Sequence, residues 1–165
     1  MAQDWAGKFT EKLTRKAELA RSRSALDFDT YRGQVHALFE FVEQKVSPVA
    51  AIRVQRLTTA QTTEFRQGLS GPIETIMILD LHCGDRHLQF IPQGTNFDNC
   101  LGRIRVKHDS RALPIYLYLC LVKRPVKGQD QLVWVVHRAE DQGPPTGAPL
   151  LDESSLEQVV ENAFL

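Results

Sequence analysis

The sequence lacks a long hydrophobic run and carries no net charge, and each absence excludes a class of protein. Its 165 residues include 20 basic and 20 acidic side chains, so the formal charge is zero. A neutral chain has no overall field that draws nucleic acid or an anionic membrane, although local patches remain able to do so. No apolar stretch approaches the ~20 residues that a membrane helix needs. The first residues also lack the basic segment and apolar core of a secretory signal. We therefore expect a cytoplasmic protein with no membrane contact.

Cysteine is scarce, and the common catalytic motifs are missing. Cys83, Cys100 and Cys120 are an odd number with no CxxC spacing, so free thiols in a reducing cytoplasm are the simplest interpretation. The chain has no Walker-type phosphate loop, no dinucleotide-binding glycine motif, no HExxH and no GxSxG. Cys83 and Cys120 lie in apolar segments, whereas a reactive thiol needs an exposed, electropositive site. These absences favour a non-enzymatic protein over an enzyme.

The patterns that are present predict a single α+β domain over residues 1–165. A chain of this length buries a sizeable core, and its 42% hydrophobic content is ordinary for a globular protein. Helical periodicity runs over residues 4–23, from Asp27 or Asp29 to Pro48, and from Asp152 to the last residue. We expect two N-terminal helices, a mainly antiparallel sheet of four or five strands, and a C-terminal helix packed on that sheet.

Residues 1–25 predict a basic helix whose apolar side is narrow. Trp5, Phe9 and Leu13 recur at helical spacing and are followed by alanines. Lysine and arginine occupy much of the remaining surface, with acidic residues interspersed. Such a surface suits either an arm for phosphate or acidic partners, or a solvated helix face. The narrow stripe indicates that this helix docks loosely on the domain, or docks on a second chain.

The segment from residue 74 to residue 91 predicts a β-hairpin. Gly84-Asp85 separates two apolar runs, and glycine at the first central position suits a type II′ turn. That turn sets the register, so His82 lies opposite His87. Asp80 precedes His82 by two residues and shares its face. Two imidazoles and a carboxylate on one face can hold a divalent metal ion with open coordination positions. The alternative is a cross-strand histidine pair with Asp80 as a hydrogen-bond acceptor or a surface charge.

Residues 101–108 alternate between apolar and basic side chains. Ile104 and Val106 lie on one side, and Arg103, Arg105 and Lys107 lie on the other. The basic row is suited to phosphate or to the acidic groups of a partner protein. A sheet with one solvated face would show the same row, because edge and surface strands use such charges to prevent aggregation.

Two later segments, 115–122 and 132–136, are apolar or aromatic on both faces. Such segments are typical of strands that are covered from both sides, and we expect them to pair antiparallel at the centre of the sheet. Residues 139–149 contain three prolines and two glycines and predict an exposed connection without structure. The second face of the paired strands needs a cover. Either the first helix supplies it, or Tyr116, Tyr118 and Trp134 lie at an interface with a partner, where aromatic residues are enriched.

The sequence therefore leads to three hypotheses of function. The first is a non-catalytic, cytoplasmic protein-binding or adaptor module, acting as a homodimer or within a larger complex and using Arg103, Arg105 and Lys107 beside the aromatic residues. The second is a metal-binding protein or metalloenzyme using Asp80, His82 and His87. The third is a nucleic-acid-binding protein using the basic helix and the basic strand face.

Overall fold

The structure, a computed structural model, describes residues 2–23, 28–58, 77–95, 97, 99–141 and 144–165. Within these residues the chain forms three α-helices and six β-strands. The helices are α1 (Ala2–Arg23), α2 (Phe28–Val46) and α3 (Glu153–Phe164). The strands are β1 (Ile52–Thr58), β2 (Met77–Cys83), β3 (Arg86–Gly94), β4 (Gly102–His108), β5 (Leu117–Val126) and β6 (Gln129–Arg138). The α+β prediction is confirmed, with helices at both ends of the chain. Asp27, one of the two predicted starts of α2, lies outside the described residues.

All six strands belong to one antiparallel sheet in which spatial order follows chain order. The prediction of four or five strands was too low. The first strand, β1, is exposed on much of its surface, so its sequence gives a weaker strand signal than those of the buried strands. It nevertheless pairs with β2 along its whole length, from Ile52 opposite Cys83 to Thr58 opposite Met77. Pairing with a buried neighbour therefore stabilises a strand that its own sequence indicates only faintly.

The predicted hairpin is formed by β2 and β3 in the predicted register. His82 lies opposite His87, and Asp80 lies opposite Gln89. Gly84 has a φ of 61°, whereas Asp85 is not among the residues with positive φ. This combination fits a type II′ turn, because a type I′ turn requires positive φ at both central residues.

The main hydrophobic core lies between the sheet and the helices α2 and α3. The apolar stripe of α2 is buried from Tyr31 to Val46, and α3 contributes Leu156, Val159 and Ala163. The sheet contributes inward-facing residues from every strand from β2 to β6. Asp152 caps α3, since its side chain accepts a hydrogen bond from the backbone N–H of Ser155. The C-terminal helix therefore packs on the sheet as predicted.

The opposite face of the sheet, here called the second face, is covered over β5 and β6 by two segments of the same chain. Cys120, Val122 and Val135 are buried there together with Cys100 and Ala148. The cover is formed by Phe97, by Cys100 and by the segment around the 3₁₀ turn Pro145–Gly147. Most of the described residues between 139 and 149 are exposed, as predicted, but the 3₁₀ turn and the burial of Pro145 and Ala148 were not predicted. Buried Pro145 and Ala148 supply the small apolar surface that the second face of these strands requires.

The prediction that β5 and β6 form the centre of the sheet is wrong. They are its last two strands, and β6 is an edge. Part of this edge is protected, because the backbone of Val136 donates to Pro149 O and the backbone of Leu151 donates to Trp134 O. Covering an edge with a following segment satisfies its free backbone groups and explains how an apolar strand can be placed there.

Candidate functional site

The side chains of Asp80, His82 and His87 meet on the second face near the turn of the β2–β3 hairpin. Strand alternation places Asp80 and His82 on one side of β2, opposite the core residues Leu79 and Leu81. The hairpin register then brings His87 to the same side. All three residues are thus positioned by a paired, hydrogen-bonded sheet rather than by a loop.

The candidate ligand atoms of this group are close together. The Nδ1 atom of His87 is 3.5 Å from Oδ1 of Asp80, and Nε2 of His82 contacts Oδ2 of the same carboxylate. One ligand atom from each residue can be chosen so that all lie within 4.8 Å of one another. The two imidazole rings are 4.1 Å apart between centroids in an edge-to-face arrangement. One ion can therefore contact all three side chains after small movements.

The carboxylate of Asp80 is buried although it lies on the polar side of the hairpin. Its side chain is 3% exposed, compared with 26% for His82 and 49% for His87. Oδ1 of Asp80 and Nε2 of His82 are both buried without a hydrogen-bond partner among the described residues. The close approach of Nε2 to Oδ2 therefore lacks hydrogen-bond geometry. An unsatisfied buried polar group costs about 1–3 kcal/mol, so the cluster is unfavourable as it stands.

The donor set determines which ions the group can hold. Two imidazole nitrogens and one carboxylate oxygen suit divalent first-row transition metals, and three protein ligands leave positions open for water or another ligand. Ligand atoms about 2.1 Å from a shared ion are about 3.0–3.4 Å from one another in octahedral or tetrahedral geometry. The separation of 3.5 Å between His87 Nδ1 and Asp80 Oδ1 is close to this range.

The predicted basic row of β4 lies on the second face, but its three members have different surroundings. The guanidinium carbon Cζ of Arg103 lies 4.0 Å from the ring centroid of Phe97 and 4.3 Å from that of Tyr118. The Nε of Arg103 donates a hydrogen bond to Oε1 of Gln93. Lys107 is exposed. The Nε of Arg105 is buried without a hydrogen-bond partner in the described part of the chain. Arg103 thus has a structural role, and Arg105 has the least satisfied cationic group of the row.

The aromatic residues expected at a partner interface do not share one surface. Tyr118 lies on the second face and packs beside the buried group of Cys100 and Cys120. Trp134 lies on the helix-facing side, is 8% exposed, and donates from Nε1 to the carbonyl of Gln34 in α2. Tyr116 precedes β5 and is 54% exposed. Among the three, only Tyr116 presents most of its ring to solvent.

Helix α1 shows an apolar stripe that is not covered by the described residues. Every side chain from residue 5 to residue 16 is exposed. Trp5, Phe9 and Leu13 are 68%, 48% and 53% exposed, and the rings of Trp5 and Phe9 stack at 5.2 Å. Residues 5–16 of the helix therefore do not cover the second face of β5 and β6, although the first helix was one of the two covers predicted for it.

One polar residue of the second face was not identified from the sequence. His137 on β6 lies opposite Tyr118, and its Nε2 is buried without a hydrogen-bond partner among the described residues. The turn at Lys127-Gly128 has positive φ at both residues, 52° and 82°, as a type I′ hairpin requires. Recognition of that turn would have set the β5–β6 register and placed His137 beside Tyr118.

Comparison with protein-family models, with curated proteins and with solved structures finds no match for this chain. Helices of the described segments include none with the length and apolar character needed to cross a membrane.

Proposed function

We propose that this protein binds a divalent first-row transition-metal ion through Asp80, His82 and His87. The observation that supports the proposal is the buried carboxylate of Asp80, whose Oδ1 lacks a hydrogen-bond partner among the described residues while both imidazoles adjoin it. A bound cation would satisfy Oδ1 of Asp80 and Nε2 of His82 at once. It would also compensate the burial of a negative charge, which is otherwise unfavourable.

The competing explanation for the same cluster is a proton instead of a metal ion. A protonated histidine would balance the carboxylate charge through a single hydrogen bond. That arrangement would pair Nε2 of His82 with Oδ2 of Asp80, but it would leave Oδ1 of the same carboxylate without a hydrogen-bond partner among the described residues. A metal ion interacts with several ligand atoms together and depends less on the direction of one N–H bond, so it fits the cluster better.

Calorimetric titration of metal-free protein with Zn²⁺ tests the proposal. We expect one ion per chain, with a dissociation constant of about 1 μM or tighter, equivalent to about 8 kcal/mol. His87→Ala and Asp80→Asn should each weaken binding at least ~10-fold, or by about 1.4 kcal/mol. His87 is half exposed, so its removal tests binding with little effect on folding.

The matched control is His36→Ala, which removes an imidazole from the exposed side of α2 beside Glu40. This variant should bind Zn²⁺ as the wild type does. Equal affinity in the wild type and His87→Ala would refute the proposal, as would the absence of binding in both. The proton-sharing explanation predicts the second of these results.

A second candidate function is docking to another protein or to a second copy of the chain, and a separate observation favours it. Helix α1 exposes Trp5, Phe9 and Leu13, although helices in proteins are stabilised mainly by packing of an apolar face. Lys12 and Lys16 follow Phe9 and Leu13 by three residues, so they border the stripe and favour a partner with acidic groups there. The free cysteines fit a cytoplasmic location for such an assembly.

Light scattering and affinity capture test this second candidate. The wild type should form a species larger than one chain, or recover a defined partner, and the triple variant Trp5→Ala, Phe9→Ala, Leu13→Ala should not. The control variant Thr10→Ala, Thr14→Ala changes exposed polar residues of the same helix and should behave as the wild type. A monodisperse monomer that recovers no partner, with or without the triple substitution, would contradict docking through α1.

A further inference from the structure

A row of three side chains crosses β4, β5 and β6 on the second face. Arg105 lies opposite Tyr118, and Tyr118 lies opposite His137. Neighbouring strands are about 4.8 Å apart, so Arg105 and His137 stand about 10 Å apart on either side of the tyrosine. This row is separate from the metal-ligand candidates, which lie on β2 and β3.

The two outer members of the row have buried nitrogen atoms without partners. Nε of Arg105 and Nε2 of His137 are both buried and make no hydrogen bond to a described residue. Other arginines of this face are satisfied, because Arg103 donates to Gln93 and Arg124 donates to the carbonyl of Ala148. Arg105 also forms no ion pair among the residues that the structure describes. A guanidinium that is partly withdrawn from water without a counter-ion is unfavourable until an anion binds.

The charged residues around Arg105 indicate which kind of anion would bind its guanidinium group. Lys107 follows two residues later on the same side of β4, and Arg103 precedes by two. Asp80, the buried acid of this face, is already in contact with His82 and His87. The planar guanidinium fork matches the oxygens of phosphate in a bidentate arrangement. Several cations in one row favour a dianionic phosphate over a monoanionic carboxylate.

We propose that Arg105, assisted by His137, binds a phosphate group at the edge of the covered part of the second face. Tyr118 lies between the two donors in the strand register, and its ring packs on Arg103. The phosphate can belong to a small phosphate ester or to a nucleic-acid backbone, and both offer the same oxyanion.

Titration of metal-free protein with inorganic phosphate and with a single-stranded oligonucleotide tests this site. Wild-type protein should bind at least one of these probes, and Arg105→Gln should weaken that binding at least ~10-fold. Arg105→Lys should lose part of the affinity, because lysine keeps the charge without the fork. His137→Gln should weaken binding by a smaller factor. Arg86→Gln removes an exposed arginine at the hairpin turn and should have no effect.

The two probes distinguish the sources of the phosphate. For a nucleic-acid backbone, oligonucleotide affinity should fall steeply with salt, and Arg105→Gln should reduce the slope of log K against log salt by about 0.7. For a small phosphate ester, the oligonucleotide should bind no more tightly than inorganic phosphate. Superimposable titrations for wild type and Arg105→Gln, or no binding of either probe at low salt, would overturn the proposal. Failure here leaves metal binding untouched, since the residues differ and the protein is metal-free.

Discussion

The ring of Tyr31 packs against the backbone of Gly102, where a Cβ atom would lie 2.6 Å from two ring carbons. Tyr31 is fully buried between α2 and the sheet, so the ring has no free space to occupy instead. This contact joins the first residues of α2 to the start of β4. It explains why a residue without a side chain is needed at position 102, although its φ is not in the left-handed region.

Gly102→Ala should destabilise the protein by about 1–3 kcal/mol, because the added methyl group overpacks a rigid site. Urea denaturation measures the change. Gly33→Ala in α2 is the control, since a Cβ atom there meets nothing within 4 Å. That substitution should stabilise the protein by about 0.5–1 kcal/mol through helix propensity. Equal changes in the free energy of unfolding for the two substitutions would show that the ring of Tyr31 can move away from an added methyl group despite its burial.

Tyr31→Phe should also destabilise the protein, in a manner that depends on pH. The hydroxyl donates to the carbonyl of Arg103 at 2.8 Å and accepts from the buried N–H of Gly94 at 3.1 Å. Its loss leaves that N–H unsatisfied, at a cost of about 1–3 kcal/mol near neutral pH.

Burial raises the pKa of the Tyr31 hydroxyl above its ordinary value. A group whose pKa is higher in the folded state contributes its full stabilisation below the unfolded pKa, which is about 10, and loses it as the pH rises further. The stability difference between wild type and Tyr31→Phe should therefore be constant up to about pH 9 and shrink above about pH 10. The midpoints of urea denaturation of the two proteins, determined from about pH 7 to pH 11, measure this difference in stability. A difference that grows with pH would contradict the burial argument.

The three cysteines should differ in reactivity toward a thiol reagent. Cys83 is partly exposed at the end of β2, whereas Cys100 and Cys120 are buried. A hydrogen bond to Cys120 and burial raise the pKa of the Cys100 thiol, which disfavours its reactive thiolate. Native protein should react rapidly at one thiol, Cys83→Ser should remove this reaction, and denatured protein should react at all three. Rapid modification of Cys100 in the native state would show that its burial on the second face does not shield the thiol from the reagent.

The sequence predicts the hairpin better than any other part of the sheet, because its register depends on a two-residue turn. Gly84-Asp85 specifies that turn locally, so the neighbourhood of Asp80, His82 and His87 can be inferred without coordinates. The burial of the Asp80 carboxylate cannot be inferred in this way. It depends on how neighbouring side chains close around an otherwise polar face.

The cover of β5 and β6 was not predictable for a different reason. Pro145 and Ala148 carry no periodic signal, and prolines and glycines in a loop ordinarily indicate exposure. Their burial follows from tertiary packing against an apolar strand face over which the described residues place no helix. Strand order is likewise a property of the whole sheet and is not encoded in any one strand. For this reason the sequence predicts a central position for the two strongly apolar strands β5 and β6, whereas they lie at the edge of the sheet.

Metal binding should stabilise the folded protein by mass action. A ligand present at 100 times its dissociation constant adds about 2.7 kcal/mol to the free energy of unfolding. For a chain of this size, 1 kcal/mol corresponds to about 2–4 °C in melting temperature, so a rise of about 5–11 °C is expected. Differential scanning fluorimetry with and without Zn²⁺ measures the shift, and Asp80→Asn should abolish it. Destabilisation by Zn²⁺ would indicate preferential binding to the unfolded chain.

The most direct measurement of the central claim is the visible spectrum of Co²⁺ during titration into metal-free protein. Coordination by Asp80, His82 and His87 predicts a ligand-field band that differs from aqueous Co²⁺ and saturates at one ion per chain. His87→Ala and Asp80→Asn should lack that band, and His36→Ala should retain it. A wild-type spectrum identical to Co²⁺ in buffer, or one that saturates equally in His87→Ala, would contradict the account.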